Sequence, residues 1–284
     1  MESVLKKWWP QQAGLVLAAY LFLTCYFNLV PLLVPMNDGL RALHLLAFFP
    51  VAYAVARCLF RRGLDLYGIV RVPGWHRNLG IGFLLGAGAW IVLFALYFGL
   101  GRYHYNGMNG GGQAALALAV VLFGYGVGSF ISDMIVRGLL FSGLRNSLPP
   151  AAVFLAALVL YALDDVWYEG LQVQNTVFSL ALGLSLTYAY ARTNTVWASA
   201  GIHFGLNTVY GLFFGVSGRI GDGVFTFTET GNSSLLLTWL STLLSLLLFV
   251  GVWLLRHQLA ARREPLQLKQ EPAARGRRTD TVSR

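Results

Sequence analysis

Polar and apolar positions do not alternate along this chain. They separate into long apolar runs broken by short polar stretches. The runs lie at about 13–34, 40–60, 79–100, 114–144, 150–167, 176–191, 196–214 and 234–255. Most approach the ~20 residues a helix needs to cross a bilayer core. Inside lipid every backbone N–H and C=O must be satisfied within the chain, and helices do this segment by segment. The pattern therefore predicts an all-α protein, a polytopic membrane helical bundle of about eight transmembrane helices. Asn28, Pro31 and Pro35 are expected to break the far end of the first run. That run is too long for a signal-peptide core and lacks a small-residue cleavage site, so it is expected to stay as an uncleaved span. A glycine-rich turn, 106–112, follows the third run.

Composition agrees with a membrane protein. Of 284 residues 56% are hydrophobic and only 12% charged, against about 25% charged in a soluble domain. The net charge of +9 does not imply nucleic acid, because the basic residues sit in loops beside apolar runs. With a cytoplasmic N-terminus, Lys6, Lys7, Arg57, Arg61, Arg62, Arg71, Arg77, Arg145, Arg192 and the tail fall inside; Arg41, Arg102 and Arg219 fall outside. That asymmetry predicts an even number of spans with both termini cytoplasmic. Cys25 and Cys58 sit at different depths, and no disulfide is expected between them. The expected organisation is two N-terminal transmembrane helices (1–63), a membrane core with the last helix (64–255) and a basic, disordered cytoplasmic tail (256–284) attracted to anionic lipid. Membrane lipid is the expected surrounding; no nucleic-acid partner is expected.

Ionisable residues within a span cost free energy unless paired or facing a cavity. Asp133 and Arg137 lie one helical turn apart on the fourth run, and His203 and Asn207 share a face of the seventh. An imidazole beside an amide can polarise a carbonyl or hold a water. Asp164 and Asp165 end the fifth run. Each has a structural reading too: an ion pair between helices, the start of a polar loop, interhelical hydrogen bonding. Gly124, Gly128 and Ser132 repeat every four residues, as do Gly201/Gly205 and Gly211/Gly215, the spacing that lets membrane helices approach closely. Ser132 is accordingly read as a packing residue.

Taken in order, these residues resemble the CPBP family of intramembrane proteases, which includes CAAX prenyl endopeptidases, bacteriocin-processing and Abi-type proteins. The family's signatures are Glu-Glu-x-x-x-Arg-Gly, Phe-x-x-x-His and His-x-x-x-Asn on successive helices. Here they correspond to Ser132-Asp133-Met-Ile-Val-Arg137-Gly138, Tyr161-Ala-Leu-Asp-Asp165 and His203-Phe-Gly-Leu-Asn207. Gly183 to Arg192, Val196 to Ile202 and the loop with Leu66, Gly68 and Trp75 add to the likeness, which spans about 64–214.

The resemblance implies a glutamate-type endopeptidase in which the first Glu and the second motif's His activate water. The third motif's His and Asn would receive the oxyanion. Arg137, His203 and Asn207 are kept, but Ser132 replaces the Glu and Asp165 the His. A serine hydroxyl cannot serve as a general base near neutral pH. Three readings stay open. One is a non-catalytic homologue that binds a hydrophobic or membrane-associated peptide or protein. The second is an active protease with Asp133 and Asp165 as a rebuilt pair, needing no cofactor if carboxylates activate the water. In a variant of it, a divalent metal sits on Asp133, Asp165 and His203. The third is a small transporter or scaffold. The resemblance and small size suggest a bacterial plasma (inner) membrane.

Overall fold

A computed structural model describes residues 2–164, 167 and 170–262. Helix dominates it. The first rod, α1, comprises Glu2–Thr24, a wider π-helical turn at Cys25–Leu29, and Val30–Leu33. Then come α2 (Asp38–Phe60), α3 (Trp75–Gly99) and the strand β1 (Tyr103–Met108). The long α4 is Gly111–Asp133, a second π-helical turn at Met134–Leu139, and Leu140–Leu144. It is followed by α5 (Pro150–Asp164), α6 (Val173–Thr193), α7 (Trp197–Phe214), β2 (Phe225–Glu229) and α8 (Leu235–Leu254). Five helical stretches are long and apolar enough to cross a membrane: Gln11–Leu33, Asp38–Phe60, Trp75–Gly99, Gly111–Leu144 and Leu235–His257. The protein is an all-α membrane bundle with one small sheet among its described residues.

The first rod departs from expectation. Asn28 and Pro31 do not break it. Pro31 has no N–H to donate back to residue 27, and the chain answers with a π turn that carries the helix on to Leu33. The next helix starts where Asn37 accepts a hydrogen bond from the Leu40 N–H at 2.8 Å, an N-cap that satisfies one orphan donor. Ser234 caps α8 in the same way through the Leu237 N–H, at 3.3 Å.

Glycine sets the tightest packing, between α3 and α7. A Cβ on Gly82 or Gly86 would run into the carbonyls of Ala198 and Ile202, and one on Gly201 or Gly205 into those of Leu79 and Phe83. Two backbones touch along this seam, as the Gly201/Gly205 spacing predicts. The Gly124/Gly128 stripe of α4 behaves otherwise. Gly128 faces open space, and Gly124 meets only the Val216 side chain. Here α7 presents large side chains rather than a bare backbone: a Cβ on Gly126 would lie 3.3 Å from the Phe204 ring.

Each end of the bundle is closed by a long-range contact. At one end β1 pairs antiparallel with β2, from Tyr103 opposite Glu229 to Met108 opposite Phe225, with a bulge between Tyr105 and Gly107. Tyr103 packs against Phe94, Tyr97, Phe98 and Phe227 beneath it. Since the strands pair, the loops after α3 and after α7 lie on one side, so the chain crosses an even number of times between them. At the other end the loop 61–74 is a folded plate. Tyr67 donates to the Ala52 carbonyl at 2.8 Å, and burial pushes its phenol up from its ordinary value, which keeps that O–H a donor. Trp197 donates to the Val70 carbonyl at 2.8 Å and packs against Trp75 with the rings tilted. Gly68, at a φ of +79°, leaves no room for a side chain beside Tyr190.

Candidate functional site

The centre of the bundle is the π turn of α4. All six residues of Met134–Leu139 are buried, so this piece of helix is enclosed on every side. Such widened turns recur at functional sites because they re-aim side chains without ending the helix. Gly138 has a plain role: the Tyr67 carbonyl rests where its Cβ would be. Any larger residue after Arg137 would push the loop plate away.

Within this turn Arg137 is fully buried and donates through Nη1 to Asp133 Oδ1 at 2.9 Å. Its guanidinium lies 4.2 Å from the centre of the Tyr161 ring, where the ring's negative face stabilises the cation. Its Nε and Nη2 have no hydrogen-bond partner among the described residues. The other carboxylate oxygen, Asp133 Oδ2, lies 3.2 Å from His203 Nδ1. With Asp133 ionised, that contact puts the imidazole proton on Nδ1 and leaves Nε2 with its lone pair. One turn away, Asn207 donates through Nδ2 to Ser129 Oγ at 3.2 Å. Thus α4 and α7 are joined by two polar rungs, Asp133 to His203 and Ser129 to Asn207. Tyr161 closes a third side, its ring edge-on to that of His203 at 6.0 Å.

A second polar contact extends the cluster toward α1. Asn28, carried inward by the first π turn, donates to Asp164 Oδ1 at 3.0 Å, and both side chains are buried. Nearby, Tyr20 donates to the Leu160 carbonyl at 3.3 Å. Asp164 is therefore no part of a solvated loop; it ties α5 to α1. On the flank of α4 and α7 lies an apolar groove of about 550 Å³, lined by residues including Phe49, Ile69, Val127, Phe130, Trp197 and Phe204.

Of the residues singled out from sequence, Asp133, Arg137, His203 and Asn207 converge on one cluster, the first two fully buried and the last two half-buried. Ser132 is buried beside it, at 9% exposure. Asp165 lies outside the described residues. Those described contain no group of three or more His, Cys, Asp or Glu side chains placed to hold a metal. Sequence reading missed Ser129, gave Asn28 only a helix-breaking role and gave Tyr161 only a place in the second motif. Ser129 sits one turn before Asp133, and Asn28 is a lone amide in an apolar run; both signals were available. Nothing in the sequence said that Tyr161 would cover Arg137.

Residues 113–209 match the family described as type II CAAX prenyl endopeptidase Rce1-like. The match takes in α4 from near its start, the two following helices and α7 past Asn207. No curated protein and no solved structure matches the chain. The molecule is thus an integral membrane protein built as a helical bundle. Residues 113–209, about a third of the chain, are similar to the Rce1-like family.

Proposed function

We propose that this protein binds a hydrophobic or membrane-associated peptide at His203 and Asn207 and does not cleave it by the family's route. The observation that carries the reading is the state of Asp133. It is fully buried, with one oxygen on Arg137 and the other on His203. A carboxylate with no exposed surface and a partner on each oxygen is poorly placed to take a proton from a water, and proton transfer requires hydrogen-bond reach. Ser132, in the position of the family's water-activating Glu, supplies no base. What remains suits recognition. His203 Nε2 offers an acceptor to a peptide N–H, Asn207 offers a donor to a peptide carbonyl, and the apolar groove takes hydrophobic side chains. The bilayer in question is, on the family likeness, a bacterial inner membrane.

The test uses the full chain in lipid nanodiscs with a transmembrane or prenylated peptide carrying a photo-crosslinker. Crosslinking is expected for the unmodified protein and is expected to fall at least tenfold in His203→Leu and Asn207→Leu. Mass spectrometry of the same samples should show intact peptide, with cleavage gained in Ser132→Glu combined with Asp165→His. Turnover by the unmodified chain, abolished by Asp133→Asn, would replace this reading with the rebuilt catalytic pair.

A further inference from the structure

After α8 the chain makes a short 3₁₀ turn, Leu255–His257, and then crosses the basic end of the bundle. Its attachment there is specific. Asn78, at the start of α3 and fully buried, donates through Nδ2 to the Ala260 carbonyl at 2.7 Å and accepts from the Ala260 N–H at 2.8 Å. A single side-chain amide thus satisfies both main-chain groups of one residue, as a neighbouring strand would. The Arg77 guanidinium donates to the Gln258 carbonyl, and the Arg262 N–H donates to the Thr193 carbonyl at 2.9 Å. Leu259 is buried at 5% exposure, and the Ala260 methyl lies 3.1 Å from where a Cβ on Gly74 would be.

These contacts are those of a bound peptide. Four hydrogen bonds read main chain, one recess takes a leucine side chain, and Gly74 comes close to the methyl of the residue after it. Nothing in them depends on the covalent link through α8. We propose that Asn78, Arg77, Gly74 and Thr193 form a peptide-binding site separate from the polar centre, loaded in cis by Gln258–Arg262. Its ligand class is a non-helical segment with leucine followed by a small residue, presented by a partner protein on the same face of the membrane. Main-chain hydrogen bonds supply affinity and the leucine recess supplies selectivity, the usual division in peptide recognition. The chain's own segment is a tethered competitor, with an effective concentration on the order of mM for a short linker. A partner therefore binds well only when that segment lets go.

The probe is a fluorescein-labelled synthetic peptide of residues 256–262, titrated by anisotropy into the full chain in nanodiscs. The unmodified chain should bind it weakly, because its own segment competes. Leu259→Asp with Ala260→Pro cripples that segment, removing the buried side chain and the N–H that Asn78 accepts, and leaves the recess intact. Binding should tighten at least tenfold. Adding Asn78→Leu should lose that gain. Equal affinity in the first two proteins, or affinity kept without Asn78, overturns the proposal. A measurement on the unmodified chain guards against misfolded variants. The Ala260 and Arg262 amides should exchange slowly with deuterium, and faster when excess unlabelled peptide displaces the segment. Unchanged exchange under millimolar peptide is an overturning result as well.

Discussion

The two faces of α7 hold their neighbours by opposite means. Toward α3, Gly201 and Gly205 bring backbone against backbone. Toward α4, two rungs of polar side chains cross the gap, Asp133 to His203 and Ser129 to Asn207. In lipid the hydrophobic effect does not drive helices together, so each face must rely on packing or on hydrogen bonds. The glycine face fixes where α7 stands, because shape alone decides whether it fits. The polar face does not need to be strong. It needs to present the right groups at the right depth, and a rigid seam behind it lets it do so.

The largest effect should come from unbalancing the polar face. Asp133→Ala leaves the buried Arg137 without its counter-charge, a change that costs about 3–5 kcal/mol in buried pairs. The double change Asp133→Leu with Arg137→Met should be milder than the single one, since both charges go together. Unfolding in a detergent series measures both; a double variant as unstable as the single would show that the pair is worth more than its charges.

Next comes the glycine seam. Gly205→Val drives a side chain into the Phe83 carbonyl, and overpacking of this kind costs about 1–3 kcal/mol or more. Gly128→Val, on the open side of α4, should cost far less, and equal losses at the two positions would erase the contrast between the faces. The smallest effect is expected for Asn207→Ala. It removes one membrane hydrogen bond, worth about 0.6 kcal/mol on average, so stability should barely move while peptide crosslinking falls.

Much of the bundle is legible in sequence because a bilayer leaves few options. Apolar runs at 40–60, 79–100 and 234–255 became α2, α3 and α8 within a few residues. Of the five residues that make the rungs and the ion pair, all but Ser129 were visible as well, since polar groups stand out in an apolar background and their i, i+4 spacing shares a face. What stayed hidden was relational. Pro31 looked like a helix end, yet a π turn absorbed the missing hydrogen bond. The spacing of Gly124, Gly128 and Ser132 is the same as that of Gly201 and Gly205, but only the second pair meets a bare backbone. Asp164 reads as a loop residue until α1 supplies Asn28, more than a hundred positions earlier.

The small sheet has a consequence for how the molecule is made. Tyr103 pairs with Glu229, so β1 leaves the ribosome while four further helices and its own partner strand are still to be synthesised. During that interval its N–H and C=O groups form an open edge, the kind of surface that recruits stray strands. Glycine at 107 and the bulge beside it twist that edge and keep it a poor template. The aromatic cap closes only when Phe227 arrives, and Thr230 and Asn232 then tie the same end to the Gly101 and Leu100 carbonyls, so that end stays open until the chain is nearly complete.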